Sequence, residues 1–111
     1  MDTQPREADR ILFLTLPDAA LLRRTAERVT RGLVVGIGPD DAVRAARRAI
    51  ADLDNVMLIP AGEPGDPIPW QDGFFTTVIA PHHREVEPEM LRVTAPGGAI
   101  HLADRTIERP R

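Results

Sequence analysis

Short unbroken apolar runs alternate along the chain with stretches in which apolar residues recur every three or four positions. The runs are Ile11-Leu12-Phe13-Leu14, Leu33-Val34-Val35-Gly36-Ile37, Val56-Met57-Leu58-Ile59, Phe75-Thr76-Thr77-Val78-Ile79-Ala80 and Ala99-Ile100-His101-Leu102-Ala103. Runs of this length read as strands, the first consistent with burial on both faces and the second also buried. After the first run, Ala19, Leu22, Ala26 and Val29 share one helical face, while Arg23, Arg24 and Arg28 lie mostly outside it. Thr15-Leu16-Pro17-Asp18 predicts the start of this helix, with Thr15 as its cap and Pro17 in its first turn. A second helix follows Gly38-Pro39, capped by Asp40 or Asp41, with Ala42, Val43, Ala46, Ala49, Ile50 and Leu53 as its apolar stripe.

The later part of the chain is punctuated differently. Residues 60–73 are rich in Pro and Gly and predict a loop. A short helix is predicted from Pro88 to Val93, a turn at Pro96-Gly97-Gly98, and a charged tail over the last eight residues. Strand and helix alternate, which predicts a parallel sheet with right-handed crossovers.

Composition narrows the setting. A chain of 111 residues holds one domain with a modest core. Aromatic residues are only 4%, so Leu, Ile, Val and Ala must build that core. The net charge of −3 gives no footprint for nucleic acid. All 14 basic residues are Arg, the usage of a GC-rich bacterial genome. With no Cys, disulfides, thiolate metal sites and Cys nucleophiles are excluded. The start, Met1-Asp2-Thr3-Gln4-Pro5, carries no apolar signal core, and no run nears the roughly 20 residues of a membrane span. The expectation is a soluble cytoplasmic protein that binds neither membrane nor nucleic acid.

From residue 10 to 103 the order of features resembles the class I S-adenosylmethionine-dependent methyltransferases. The stretch VVGIGPDDAVRAARRAIADLDNVMLIPAGEPGDPIPWQDGFFTTVIAPHH is similar to that family's second strand through fourth strand. Members there read as a Val-Val-Gly-Val-Asp strand end, an Arg-rich helix, an Asn-Val strand, a Gly-Asp-Ala turn and a Pro-Phe-x-Asp-Gly-x-Phe-Asp run. EMLRVTAPGGAIHLA resembles the helix, Pro-Gly-Gly turn and fifth strand that follow. The resemblance implies an α/β fold: a small Rossmann-like three-layer sandwich on a mainly parallel five-stranded sheet, order 3-2-1-4-5, lacking the family's last two strands. One domain over residues 1–111, with its core at 10–103, is expected. Taking Gly36-Ile37-Gly38 as the family's glycine-rich first turn instead leaves one strand and one helix missing.

The register sets what the resemblance implies for a site. The family binds its cofactor at the carboxyl ends of the first strands, near the switch point of the sheet. Thr15, Pro17 and Ala19 stand where its glycines would be, and Phe13 replaces an acidic residue. Gly38 stands in place of the acidic residue that holds the ribose, with Asp40 and Asp41 two and three positions on. Gly62-Glu63 resembles the Gly-Asp that contacts the adenine amino group. Thr15, Pro17, Gly38 and Glu63 are therefore the cofactor-site positions, and most lack the family's chemistry. Trp70, Phe74 and Phe75 are expected to anchor the 60–73 loop. His82-His83 follow the fourth strand, but adjacent side chains point apart and no third metal ligand accompanies them. His101 is read as a packed strand residue, and no catalytic residue is nominated.

The expectation is a truncated, degenerate, non-catalytic methyltransferase-like domain, without cofactor, acting by self-association or through a protein partner. The competing readings are a minimal methyltransferase using S-adenosylmethionine and Glu63, and a binder of another small ligand in the same crevice. Two further expectations follow. The missing strands should leave residues 99–103 as an open sheet edge, and the connection through residues 60–73, lacking the family's helix, should leave one sheet face covered only by the short 88–93 helix. A homodimer or partner is expected to cover one of them.

Overall fold

The computed structural model of the chain describes residues 5–61 and 66–111. Its elements are β1 (Arg10–Phe13), α1 (Ala19–Arg28), β2 (Leu33–Gly38), α2 (Asp40–Ala49), β3 (Val56–Pro60), β4 (Phe75–Ile79), α3 (Pro88–Val93), β5 (Thr94–His101) and β6 (Thr106–Glu108). They form a six-stranded sheet of order β3-β2-β1-β4-β5-β6. The first five strands run parallel, in the predicted order. β6 is antiparallel to β5, pairing Ile100 with Ile107 and His101 with Thr106.

The sixth strand corrects the five-stranded expectation. Thr106-Ile107-Glu108 carries one apolar residue inside a charged tail, too little for a periodic signal. Residues 99–103 are therefore not the edge. The edge is β6, which is three residues long and flanked by Arg105 and Arg109. Short, charged edges resist pairing with another chain. Pro96-Gly97-Gly98 is not a turn between elements but an irregularity inside β5. The β4–β5 register jumps there from Phe75–Thr94 to Thr77–Ala99, and Gly97 takes φ +82°. That left-handed backbone is open to glycine at little cost.

The helix ends also differ from expectation. Asp18, not Thr15, caps α1, its Oδ1 accepting from the Leu21 amide at 2.8 Å. Pro17 thus lies outside the helix. The carbonyls at the far end of α1 are met by Asn55, whose Nδ2 donates to Ala26 and Val29 at 2.9 and 3.1 Å. Pro39 occupies the cap position of α2 and makes no side-chain cap bond. Asp40 and Asp41 sit one step later, in the first turn, where carboxylates oppose the helix dipole favourably. Asp40 also pairs with Arg44 at 2.9 Å.

Two apolar layers flank the sheet. On one face Ile11, Phe13, Val34 and Leu58 meet Leu22, Ala26, Val43 and Ile50 from α1 and α2. On the other, Leu12, Val35, Val78 and Ile100 meet Met90 and Val93 of α3. Ile68, Trp70 and Phe74 extend that second layer. Trp70 lies 5.4 and 5.6 Å from the rings of Phe74 and Phe75, so these aromatics do anchor the loop. The α3 face is accordingly better covered over β1, β4 and β5 than expected. The bare region is on the opposite face, over β4–β6, because α1 and α2 both lie on the β1–β3 side. No helix among the described residues is long and apolar enough to cross a membrane.

Candidate functional site

The switch point lies between β1 and β4, where the chain stops adding strands on one side and starts on the other. Leu14-Thr15-Leu16-Pro17 leaves β1 there, with the Leu14 amide donating to the Ile79 carbonyl at 3.0 Å. Pro39 leaves β2, and Ala61, leaving β3, donates from its amide to the Gly38 carbonyl at 2.7 Å. The crevice between these segments is where an α/β sheet of this topology takes a ligand.

Leu16 fills it. A Cβ added at Gly38 would stand 2.7 Å from the Leu16 Cβ, and one added at Gly36 would stand 2.9 Å from its Cδ1. Neither glycine has a positive φ, so what they supply is room, not an unusual backbone. The Gly38 clash is with an atom fixed to the Leu16 backbone, so the two segments would have to separate to admit any side chain. An acidic residue at 38 is incompatible with this packing. Leu16 itself packs partly buried on the α1–α2 layer.

The predicted site residues fall around this plug. Thr15 and Pro17, half-buried, flank Leu16 and so come to the same end of the sheet as Gly38. The turn holding them contains no residue of positive φ. Glu63 lies outside the described residues. His82 is exposed, whereas His83 turns toward the start of α3, its Nε2 3.2 Å from Glu87 Oε1 and its buried Nδ1 without a hydrogen-bond partner among the described residues. No group of three or more potential metal ligands occurs among the described residues. His101 bonds through Nδ1 to Thr106 Oγ1 at 3.0 Å, and burial lowers its pKa.

Sequence reading missed Arg92. Its guanidinium donates to the carbonyls of Ile68 and Trp70 at 2.7 and 2.8 Å and to the carboxylates of Glu89 and Asp72. Glu89 in turn accepts from the Ile68 amide at 2.9 Å, and its carboxyl is held below the ordinary range, chiefly by its hydrogen bond from Arg92. This knot fastens the segment before β4 onto α3. The spacing of Glu89 and Arg92 was visible, but their backbone partners about twenty residues away were not.

A larger concavity, about 1110 Å³, lies on the bare part of the α1 face. Thr77, Ile79, Ala99, His101 and Thr106 floor it, and Arg24 and Arg28 of α1 form one wall.

No family model matches the chain, and no curated relative matches it. Solved structures do. An S-adenosylmethionine-dependent methyltransferase from Aquifex aeolicus superposes with a TM-score of 0.71 at 22% identity, over 87% of this chain and 56% of that one. The YcgJ protein of Bacillus subtilis matches with 0.63 at 18% identity, over 87% and 44%. A chain from the complex between the Haloferax volcanii Trm112 methyltransferase activator and a methyltransferase matches with 0.65 at 20%, over 90% and 47%. The fold is thus that of the S-adenosylmethionine-dependent methyltransferases, and at these identities the likeness is one of fold. The chain spans about half the length of these structures.

Proposed function

We propose that the chain is a methyltransferase-like domain that neither binds S-adenosylmethionine nor catalyses methyl transfer, and that it acts by association with another protein. The observation that carries this reading is the Leu16 side chain packed over Gly36 and Gly38, at the crevice a cofactor would need. A fold alone does not assign an activity. The positions expected to anchor a cofactor offer a threonine, a proline and a glycine, without a carboxylate for the ribose at 38. Nothing else at the strand ends compensates among the described residues: His82 is exposed, His83 lies beside Glu87, and Asp40 and Asp41 serve the start of α2. Association is the remaining role for a domain whose sheet keeps one half-face open.

Calorimetric titration with S-adenosylmethionine tests the reading. The expected result is no saturable heat up to about 1 mM ligand, corresponding to binding weaker than about −4 kcal/mol. A dissociation constant in the micromolar range would overturn it and restore the minimal methyltransferase. In that event Glu63→Ala should weaken the affinity.

A further inference from the structure

We propose that the trough over β4–β6 is a docking groove for an acidic amphipathic helix of a partner protein. This rests on the reading that the domain acts by association, and it names the surface and the chemistry of the partner.

The dimensions fit a single helix. α1 and α2 lie on this face over β1–β3. Neighbouring strands stand about 4.8 Å apart, so β4 to β6 span about 10 Å between strand axes. Packed helices stand about 8–10 Å apart, so that span admits one helix. The floor is graded. Ile79 and Ala99 offer half-buried apolar surface beside α1, and Thr77 and the hydrogen-bonded His101–Thr106 pair lie toward the edge. An amphipathic helix has that gradation on its inner face.

The charge selects the partner. Arg24 and Arg28 stand one turn apart on α1, and Arg6 and Arg111 also line the trough. Opposing them are Asp9 and Glu108. Asp9 is already engaged, accepting from the Arg6 amide at 2.7 Å and the Thr76 hydroxyl at 3.0 Å. Arg24 makes no hydrogen bond or ion pair among the described residues. A cationic trough on a chain of net charge −3 is a local feature, and it suits carboxylates along the flanks of a docked helix.

The probe is a synthetic helical peptide of about fifteen residues, long enough to run the length of the strands. It carries Leu at every third or fourth position and Glu on both flanks. Its control has Lys in place of each Glu. In a titration followed by NMR, the Glu peptide should shift the amides of Thr77, Ile79, Ala99 and Thr106, with submillimolar affinity. The Lys peptide should not. Arg24→Glu together with Arg111→Glu, both exposed positions, should weaken the Glu peptide at least about tenfold while leaving the fold intact by circular dichroism. No shift at about 1 mM peptide, equal binding of the Lys peptide, or unchanged affinity of the double variant would overturn the proposal. So would sedimentation showing a dimer of the free chain that the double variant dissociates, since the occupant would then be a second copy. The S-adenosylmethionine titration reports on the crevice at the strand ends, so either proposal can fail without the other.

Discussion

On one face of the sheet, β1–β3 lie beneath two helices while β4–β6 lie beneath none. The residues facing outward in the two halves differ accordingly. Under the helices stand Ile11, Phe13, Val34 and Leu58, all buried. In the open half stand Thr77, Ile79, Ala99, His101 and Thr106, all only half-buried. Coverage is thus written into side-chain type, position by position, because an uncovered strand face must tolerate water. Truncating Leu22, fully buried where α1 meets the sheet, should cost about 2–5 kcal/mol in urea unfolding. Ile79→Ala, in the open half, should cost about 1 kcal/mol. Equal losses would mean the two halves are equally packed, and the comparison would fail.

The same contrast explains what was legible in the sequence. The parallel core was readable because the β1, β2 and β3 runs and the α1 and α2 stripes each carry several apolar residues at one period. In β4 and β5, by contrast, Thr77 and His101 alternate with Val78, Ile100 and Leu102. That alternation is the mark of a strand wet on one side, yet the expectation put the thinly covered face on the side of α3, opposite to the one the structure leaves open. β6 was not readable because three residues cannot establish a period. At the crevice, the absence of glycines after β1 was visible, but the reason for Gly36 and Gly38 was not. Their role depends on Leu16, twenty or more residues away, packing across two strands. Close approaches of this kind leave no periodic trace.

The two faces of the sheet are also fastened differently. α1 and α2 are joined over their half by apolar packing, with the Arg23–Asp52 pair at 2.8 Å on the rim. The segment before β4 has a smaller apolar share and depends on Arg92, which binds two carbonyls and two carboxylates. Arg92→Ala should therefore lower the melting temperature more than Arg23→Ala does. It should also redden the emission of Trp70, the sole tryptophan, as that ring gains solvent. An Arg92→Ala protein with native emission and an Arg23→Ala-like melting temperature would show that the aromatic cluster holds the loop without the knot.

The smallest effect concerns pH, and it again separates the regions. His101 floors the open half, and burial holds its pKa below the ordinary 6.5. The unfolded chain therefore takes up a proton on this residue more readily than the folded one. Stability is retained above about pH 6.5 and falls as the pH drops through that value. On the covered half the titrating group is Asp52, whose carboxyl is lowered to about 2, chiefly by its hydrogen bond from Arg23. Its contribution is present above the unfolded carboxylate pKa of about 3.9 and is lost only as the pH falls toward 2. Two windows should thus be separable in urea midpoints measured against pH. His101→Asn should flatten the slope between about pH 7 and 5.5 and leave the acid limb in place. Arg23→Ala should do the reverse. If His101→Asn leaves the upper slope unchanged, the imidazole is as hydrated as in the unfolded chain, and the floor of the trough is wetter than its half-buried side chains require.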